Sequence, residues 1–368
     1  MSALATGTVA IESVTPSVYR IPTDFPESDG TYAWDSTTLV LVEARAGGEC
    51  GTGYTYADAA AATLILGMLA DVVRCRDAMD VPGSWSAMVH TIRNLGRPGI
   101  CSMAIAAVDA ALWDLKARLL GISLLTLLGG VRASVPVYGS GGFTSYSIPQ
   151  LEEQLEGWAA DGIGAVKMKI GRDAHADIGR VKAARAAIGP DVRLMVDANG
   201  AYTRKQALAQ AERFAQDAVS WFEEPVSSDD LDGLRLLRNR APAGMEIAAG
   251  EYGYDSWYFR RMLEAGAVDC LQADASRCAG LTGFAQAEAL CKARSMPLSA
   301  HCCPSLHAHI ACSLPNVRDL EYFHDHARIE HMLFDGALTP IDGALRPDRG
   351  RPGMGLEFKH RDAERYAV

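Results

Sequence analysis

The chain has 368 residues, of which 49% are hydrophobic, 22% charged and 7% aromatic, and its formal charge at pH 7 is −10. That profile excludes a disordered or fibrous chain. The acidic balance argues against nucleic acid, which needs a basic face, and at first sight it also disfavours an anionic ligand. The N-terminal stretch MSALATGTVAIE lacks a basic segment and reaches Glu12 before any adequate apolar run, so no signal peptide is expected. The longest apolar stretch, Ala59 to Ala70, is too short to cross a bilayer. Nine cysteines without framework spacing or a CxxC pair read as reduced thiols, and a cytoplasmic, soluble chain is expected.

In chain order, residues 9–19 and 37–44 read as strands, the second (TTLVLVEA) rich in β-branched residues. Between them runs IPTDFPESDGTYAW, a polar loop too long for a hairpin and of the kind that is usually functional. Residues 57–74 and 99–120 read as helices; the latter carries Ile105, Val108, Leu112, Leu115 and Leu119 at helical spacing. These elements predict an α+β domain over residues 1–130.

From Val135 the pattern changes to alternation. Apolar strands are predicted at 135–138, 165–170, 193–197, 221–223, 246–249, 270–272, 297–300 and 319–322, with amphipathic or Ala-rich helical segments between them. Thr203 and Gln206 form a capping box at the start of one such helix. Parallel strands joined by right-handed crossovers, about eight in number, close into an α/β (β/α)-barrel over residues 131–335. The Gly- and Pro-rich residues 336–368 are expected to pack back across the first domain. An open doubly wound sheet is the competing reading, but no GxGxxG follows the first strand.

In such a barrel, chemistry sits at the C-terminal strand ends. Those positions read VKMKIG (Lys167, Lys169), LMVDANG (Asp197, Asn199), WFEEP (Glu223, Glu224), AAGE (Glu251), LQADAS (Asp274), PLSAH (His301) and DLEY (Glu321). Asp197, Glu223 and Glu251 come from adjacent strands and can converge. Uncompensated, they would repel and shift upward in pKa. A hard divalent cation resolves that, and all-oxygen ligation suits Mg²⁺; three separate ion pairs are the structural alternative. Lys167 and Lys169 share one strand face, while Val166, Met168 and Ile170 take the face toward the helices, which puts both lysines inside the barrel. Side by side they are expected to lower each other's pKa, so that one serves as a base; pairing with acidic residues across the barrel is the alternative. Asp274 would orient His301 as a second base, whereas His307 and His309 read as structural. With Lys169 and His301 on either side of an α-carbon, the residues suit proton removal next to a carboxylate. The enediolate so formed would be stabilised by the cation.

Taken together and in this order, these motifs resemble the enolase superfamily in its mandelate-racemase-like subgroup, over nearly the whole chain. The resemblance implies a modified TIM barrel under an N-terminal capping domain completed by the C-terminal tail. It implies Asp197, Glu223 and Glu251 as ligands of Mg²⁺, Lys169 as one base and Lys167 assisting it and contacting the substrate carboxylate. It further implies His301 with Asp274 as the other catalyst, and Glu321 as a hydrogen-bond partner of the carboxylate or enediolate. GRPGICSMAIAAVDAALWDLKAR is similar to the capping-domain helix that enters the barrel. Family members close loops near Pro22 to Trp34 and Gly53 to Tyr56 over the substrate, which makes Trp34 and Tyr54, with Asn199, substrate-binding candidates; Phe25, Tyr32 and Tyr56 would extend a partly apolar lid. The activity implied is Mg²⁺-dependent dehydration of a sugar acid by a homo-oligomer. Racemisation, epimerisation or cycloisomerisation on the same residues is the alternative, and a non-catalytic sugar-acid binder a remote one. GTGYTY and DASRCAGLTG look closest to 3,6-anhydro-L-galactonate cycloisomerase-like members. Ala273, Cys278-Ala279-Gly280 and Cys302-Cys303 depart from the usual pattern; ordinary core packing is the favoured reading of the last pair.

Overall fold

A computed structural model describes residues 7–368; part of the N-terminal segment discussed above lies outside them. Three antiparallel strands open the chain: β1 (Ser13–Ser28), β2 (Ala33–Ala46) and β3 (Glu49–Tyr56), in the order β1-β2-β3. The stretch expected to be a loop is therefore mostly strand. Pairing runs from Ser13↔Arg45 to Pro22↔Ser36, breaks at a bulge, and resumes at Glu27↔Trp34. The sequence hid this because Pro22 and Pro26 fall in and beside the bulge, where no ladder N–H is needed. GTGYTY is likewise strand, with Gly51 and Gly53 set against a helix: a Cβ on Gly53 would lie 2.3 Å from the Ala107 carbonyl oxygen.

That helix, Ile100–Leu119, matches the expected one and buries Ile105, Val108, Leu112 and Leu115. The expected helix at 57–74 is broken into Ala60–Leu64, a π-helical turn Ile65–Leu69, and Ala70–Val73. A further helix, Val81–Thr91, capped by Asp80, had no sequence counterpart.

Eight parallel strands then close into a barrel: β4 (Val135–Gly141), β5 (Ala165–Lys169), β6 (Arg193–Asp197), β7 (Val219–Glu223), β8 (Glu246–Ala249), β9 (Cys270–Ala273), β10 (Leu298–Ala300) and β11 (Val317–Phe323). β11 pairs with β4 to complete the ring. The barrel fold is as expected, and the open-sheet alternative is excluded. Tyr138, Ala165, Met195, Trp221, Ala248 and Cys270 fill the interior as one cluster. Val166, Met168, Leu194 and Val196 belong instead to the shell between strands and helices. This two-residue alternation carries Lys167 and Lys169 inward. The C-terminal residues touch both parts: Met354 N–H donates to Asp114 (2.6 Å), Arg118 pairs with Glu357 (2.7 Å), Val368 N–H donates to Val18 (3.1 Å), and Ala344-Leu345 pairs with β4. No helix among the described residues is long and apolar enough to cross a membrane.

Candidate active site

Strand register builds the site. Lys169 pairs with Asp197, and Asp197 with Glu223, so three ionisable groups stand side by side across β5, β6 and β7. Glu251 follows Gly250, whose φ of +136° and 2.2 Å clearance to the Gln272 carbonyl oxygen admit only glycine. Asp274 and His301 follow β9 and β10, and Glu321 lies within β11. At these strand ends Asn199, Glu224, Cys302 and Cys303 hold φ values of 45°, 36°, 53° and 42°. Such backbone strain collects at functional sites.

Asp197, Glu223 and Glu251 are buried and offer ligand oxygens within 4.8 Å of one another. Glu251 Oε2, Glu224 Oε1 and Asn199 Oδ1 are buried without hydrogen-bond partners among the described residues. Burial, followed by the neighbouring Asp197, pushes Glu223 up to about 8. A crowded all-oxygen set with unspent acceptors fits a hard divalent cation.

The lysines are held differently from expectation. Lys167 is fully buried and donates to both Glu223 oxygens (2.6 and 2.7 Å), with Glu321 Oε1 at 2.8 Å. Its donors are engaged with those carboxylates, and it does not line the cavity. Lys169 donates to Asp197 Oδ2. Burial opposes the charge on each lysine, but the facing carboxylates override it and hold both above their ordinary pKa. The lowering expected of the pair acts on Lys169 but is outweighed by Asp197.

His301 Nδ1 sits 2.9 Å from Asp274 Oδ2, and Asp274 Oδ1 accepts from Ser276 N–H (2.7 Å). The other ring nitrogen lies 3.3 Å from Glu251 Oε2 and 3.5 Å from Glu321 Oε2. Burial works against the imidazolium, yet Glu251, Glu321 and Asp274 hold His301 up at about 10. Glu321 also accepts from Ser140 Oγ (2.6 Å) and Cys302 N–H (3.2 Å).

Above this layer opens a cavity of about 520 Å³, bordered by Lys169, Asn199, Glu251 and His301 below and by Tyr32, Trp34 and Tyr56 from the capping domain. Tyr54 does not belong to it. Its side chain is fully buried and its hydroxyl donates to Glu330 (2.6 Å). Tyr56, two residues on and therefore on the same face of β3, lies at the strand end, where it stacks on His326 and borders the cavity. Phe25 is half exposed and packs edge-on to Tyr146 instead. Cys302 and Cys303 are both buried, but Cys302 also borders the cavity, its Sγ 3.3 Å from His301 Nε2. His307 and His309 are structural: Ala275 N–H donates to His307 Nε2 (2.8 Å) and Leu125 N–H to His309 Nδ1 (3.1 Å).

Sequence reasoning missed Arg277. It borders the cavity, donates to Glu251 Oε1 (3.1 Å) and approaches Asp274 Oδ2 (3.6 Å). Its place three residues after Asp274, in the first turn past β9, was the available signal.

Residues 150–363 match the enolase C-terminal domain-like family model, and residues 18–129 that of the mandelate racemase/muconate lactonizing enzyme N-terminal domain. The chain is 34% identical to the 3,6-anhydro-alpha-L-galactonate cycloisomerase of Streptomyces coelicolor, over 95% of this chain and 98% of that protein. A mandelate racemase/muconate lactonizing enzyme-like protein from Rubrobacter xylanophilus superposes with a TM-score of 0.96 at 55% identity, covering 98% of this chain and 100% of the other. L-talarate dehydratase from Polaromonas sp. JS666, complexed with Mg and L-glucarate, superposes with a TM-score of 0.87 at 30% identity, covering 98% and 97% of the two chains. The chain belongs to the mandelate racemase/muconate lactonizing enzyme family of the enolase superfamily.

Proposed function

We propose that this protein is a Mg²⁺-dependent dehydratase of a sugar acid. The observation that carries the reading is the meeting of Lys169, Glu251 and His301 at one cavity, with β5 and β10 on different sides of the barrel. Asp197, Glu223 and Glu251 would hold Mg²⁺, which supplies positive charge against the charge that builds on the substrate carboxylate. Lys169 would take the α-proton, since it gives up its hold on Asp197 once that carboxylate's charge is met by the cation. His301, whose imidazolium is also held by Asp274 and Glu321, neither of them a proposed metal ligand, would deliver a proton to the β-hydroxyl, which leaves as water. The α C–H and β C–O bonds break, a C=C bond forms, and the enol tautomerises to a 2-keto-3-deoxy acid. Lys167, Asp274 and Glu321 would be positioning residues. Hydroxyl and amide groups on the cavity wall, among them Thr31, Ser36, Thr37 and Asn199, suit a polyhydroxylated ligand, and Trp34 closes over it. Residues 1–130, 131–335 and 336–368 would form the capping domain, the barrel and the returning tail. Homo-oligomeric assembly and a cytoplasmic location belong to the same proposal.

Cycloisomerisation is the second reading, favoured by the similarity to the Streptomyces coelicolor cycloisomerase. It begins with the same proton transfer and differs in which oxygen leaves the β-carbon. Incubation with an acid-sugar library in D₂O, with and without Mg²⁺, tests both. Keto-acid formation dependent on Mg²⁺ and lost in Lys169→Ala supports dehydration. A ring-altered product without loss of water supports the second reading. Turnover retained in a folded Lys169→Ala variant overturns the assignment of the base.

A further inference from the structure

Outside the proposed catalytic site, the bulge in β1 brings a second set of ligand-type side chains against the barrel. The bulge separates Pro22 from Glu27 in the pairing and swings Asp24 toward His324, the first residue of the helix His324–Leu333. Asp24 Oδ2 lies 2.9 Å from His324 Nε2. Asp24, Glu27 and His324 each offer one ligand atom, all within 4.8 Å of one another.

Glu27 is the informative member. It is only 1% exposed, and Trp34 Nε1–H donates to its Oε2 (2.7 Å), which fixes the carboxylate. Its Oε1 is buried without a hydrogen-bond partner among the described residues. An unpaired buried carboxylate oxygen is costly, and no lysine or arginine bonds to it. Arg328 is nearby, but its donors go to Asp325 and to the Pro22 carbonyl (2.8 Å). Asp325 adds a third carboxylate, bound to Thr37 and Arg328. Three acidic groups thus meet one guanidinium and a histidine.

We infer that Asp24, Glu27 and His324 form a divalent-cation site that ties the bulged β1–β2 hairpin to the barrel. One imidazole and two carboxylates are a borderline donor set that suits Zn²⁺, unlike the all-oxygen cluster of the cavity. The hydrogen bond from Trp34 orients the Glu27 ligand as outer-shell partners do. Trp34 itself borders the catalytic cavity, so the cation fastens the part of the capping domain that covers the proposed site.

Equilibrium dialysis of the full chain against Zn²⁺ under saturating Mg²⁺, followed by metal analysis, tests this. The wild type should retain one Zn²⁺ equivalent more than His324→Ala, a change at a partly exposed position that leaves the core intact. Glu27→Gln, which keeps the bond from Trp34, should lose the same equivalent. Zn²⁺ should raise the thermal midpoint of the wild type and of neither variant. Equal Zn²⁺ content in wild type and His324→Ala would overturn the site and reduce the cluster to an Asp24–His324 ion pair. Neither outcome depends on turnover, so the proposed dehydratase activity stands or falls separately.

Discussion

Asp274→Asn isolates the contribution of one contact to the reaction. Asp274 and His301 are both buried, and their 2.9 Å contact is a hydrogen bond between charged partners. Such bonds are worth about 1.5–3 kcal/mol. If that energy serves mainly the orientation and charging of the imidazole, its loss lowers kcat about tenfold to about 150-fold, at 1.36 kcal/mol per decade. Asparagine preserves the volume and the oxygen that accepts from Ser276 N–H (2.7 Å), so the barrel should survive. KM should change little, because Asp274 lies beneath the cavity. Steady-state kinetics on the identified sugar acid would be paired with circular dichroism to check the fold. Because His301 is assigned the proton to the leaving hydroxyl, Asp274→Asn should still exchange the α-proton with D₂O while eliminating slowly. A folded variant with kcat within twofold of the wild type would refute the dyad. Equal losses of exchange and elimination would instead move His301 to the proton-abstraction step.

His309 is buried as the neutral ring between Leu125 N–H and the Met354 carbonyl (3.0 Å). Burial pulls it from 6.5 down to about 4. The unfolded chain therefore takes up this proton first; stability is complete above about pH 6.5 and falls by roughly 3 kcal/mol as the pH drops toward 4. Urea midpoints of wild type and His309→Gln across that range should converge at low pH, and parallel curves would contradict this. Gly53→Ala forces a Cβ to 2.3 Å from the Ala107 oxygen and 2.4 Å from the Ala111 nitrogen; overpacking of this kind costs about 1–3 kcal/mol. Gly179→Ala, in the helix Ala176–Ile188 with nothing within 4 Å of the new methyl, should stabilise by about 1 kcal/mol. Thermal melts that fail to move these two variants in opposite directions would refute the packing argument. Mg²⁺ at one hundred times its Kd should stabilise the fold by about 2.7 kcal/mol. Chelation should remove that increment, and Glu251→Gln should blunt it; a Mg²⁺-independent melting curve would count against the carboxylate cluster as its site.

Much of the architecture was legible because it follows from short-range periodicity. Alternation along β5 alone turns Lys167 and Lys169 inward, and strand–helix repetition alone implies a parallel sheet; its closure into a barrel is settled by the pairing of β11 with β4. In β3 alternation does not separate Tyr54 from Tyr56, which share one face; their different depths are set by Glu330 and His326, which the barrel delivers, and two close-packed glycines disguised the strand itself. The bulge in β1 was hidden for a similar reason: prolines that suit an edge irregularity read as a loop.

What the sequence by itself determined is which residues stand at the strand ends and which face they take, since a period of two and a strand-end position are local properties. Charge state was decided by the tertiary structure. The lysines were expected to depress each other; they are held charged by Asp197, Glu223 and Glu321, which other strands deliver. Arg277 between Glu251 and Asp274, and Asp24 against His324, are likewise meetings across the fold. The opening charge of −10 described the whole chain. Around the cavity, the buried carboxylates Asp197, Glu223, Glu251, Asp274 and Glu321 outnumber Lys167, Lys169, Arg277 and His301, an excess that a divalent cation would offset before an anionic substrate binds. Electrostatic energy depends on separations of a few ångströms in a medium of low polarity, and those separations exist only once the barrel closes.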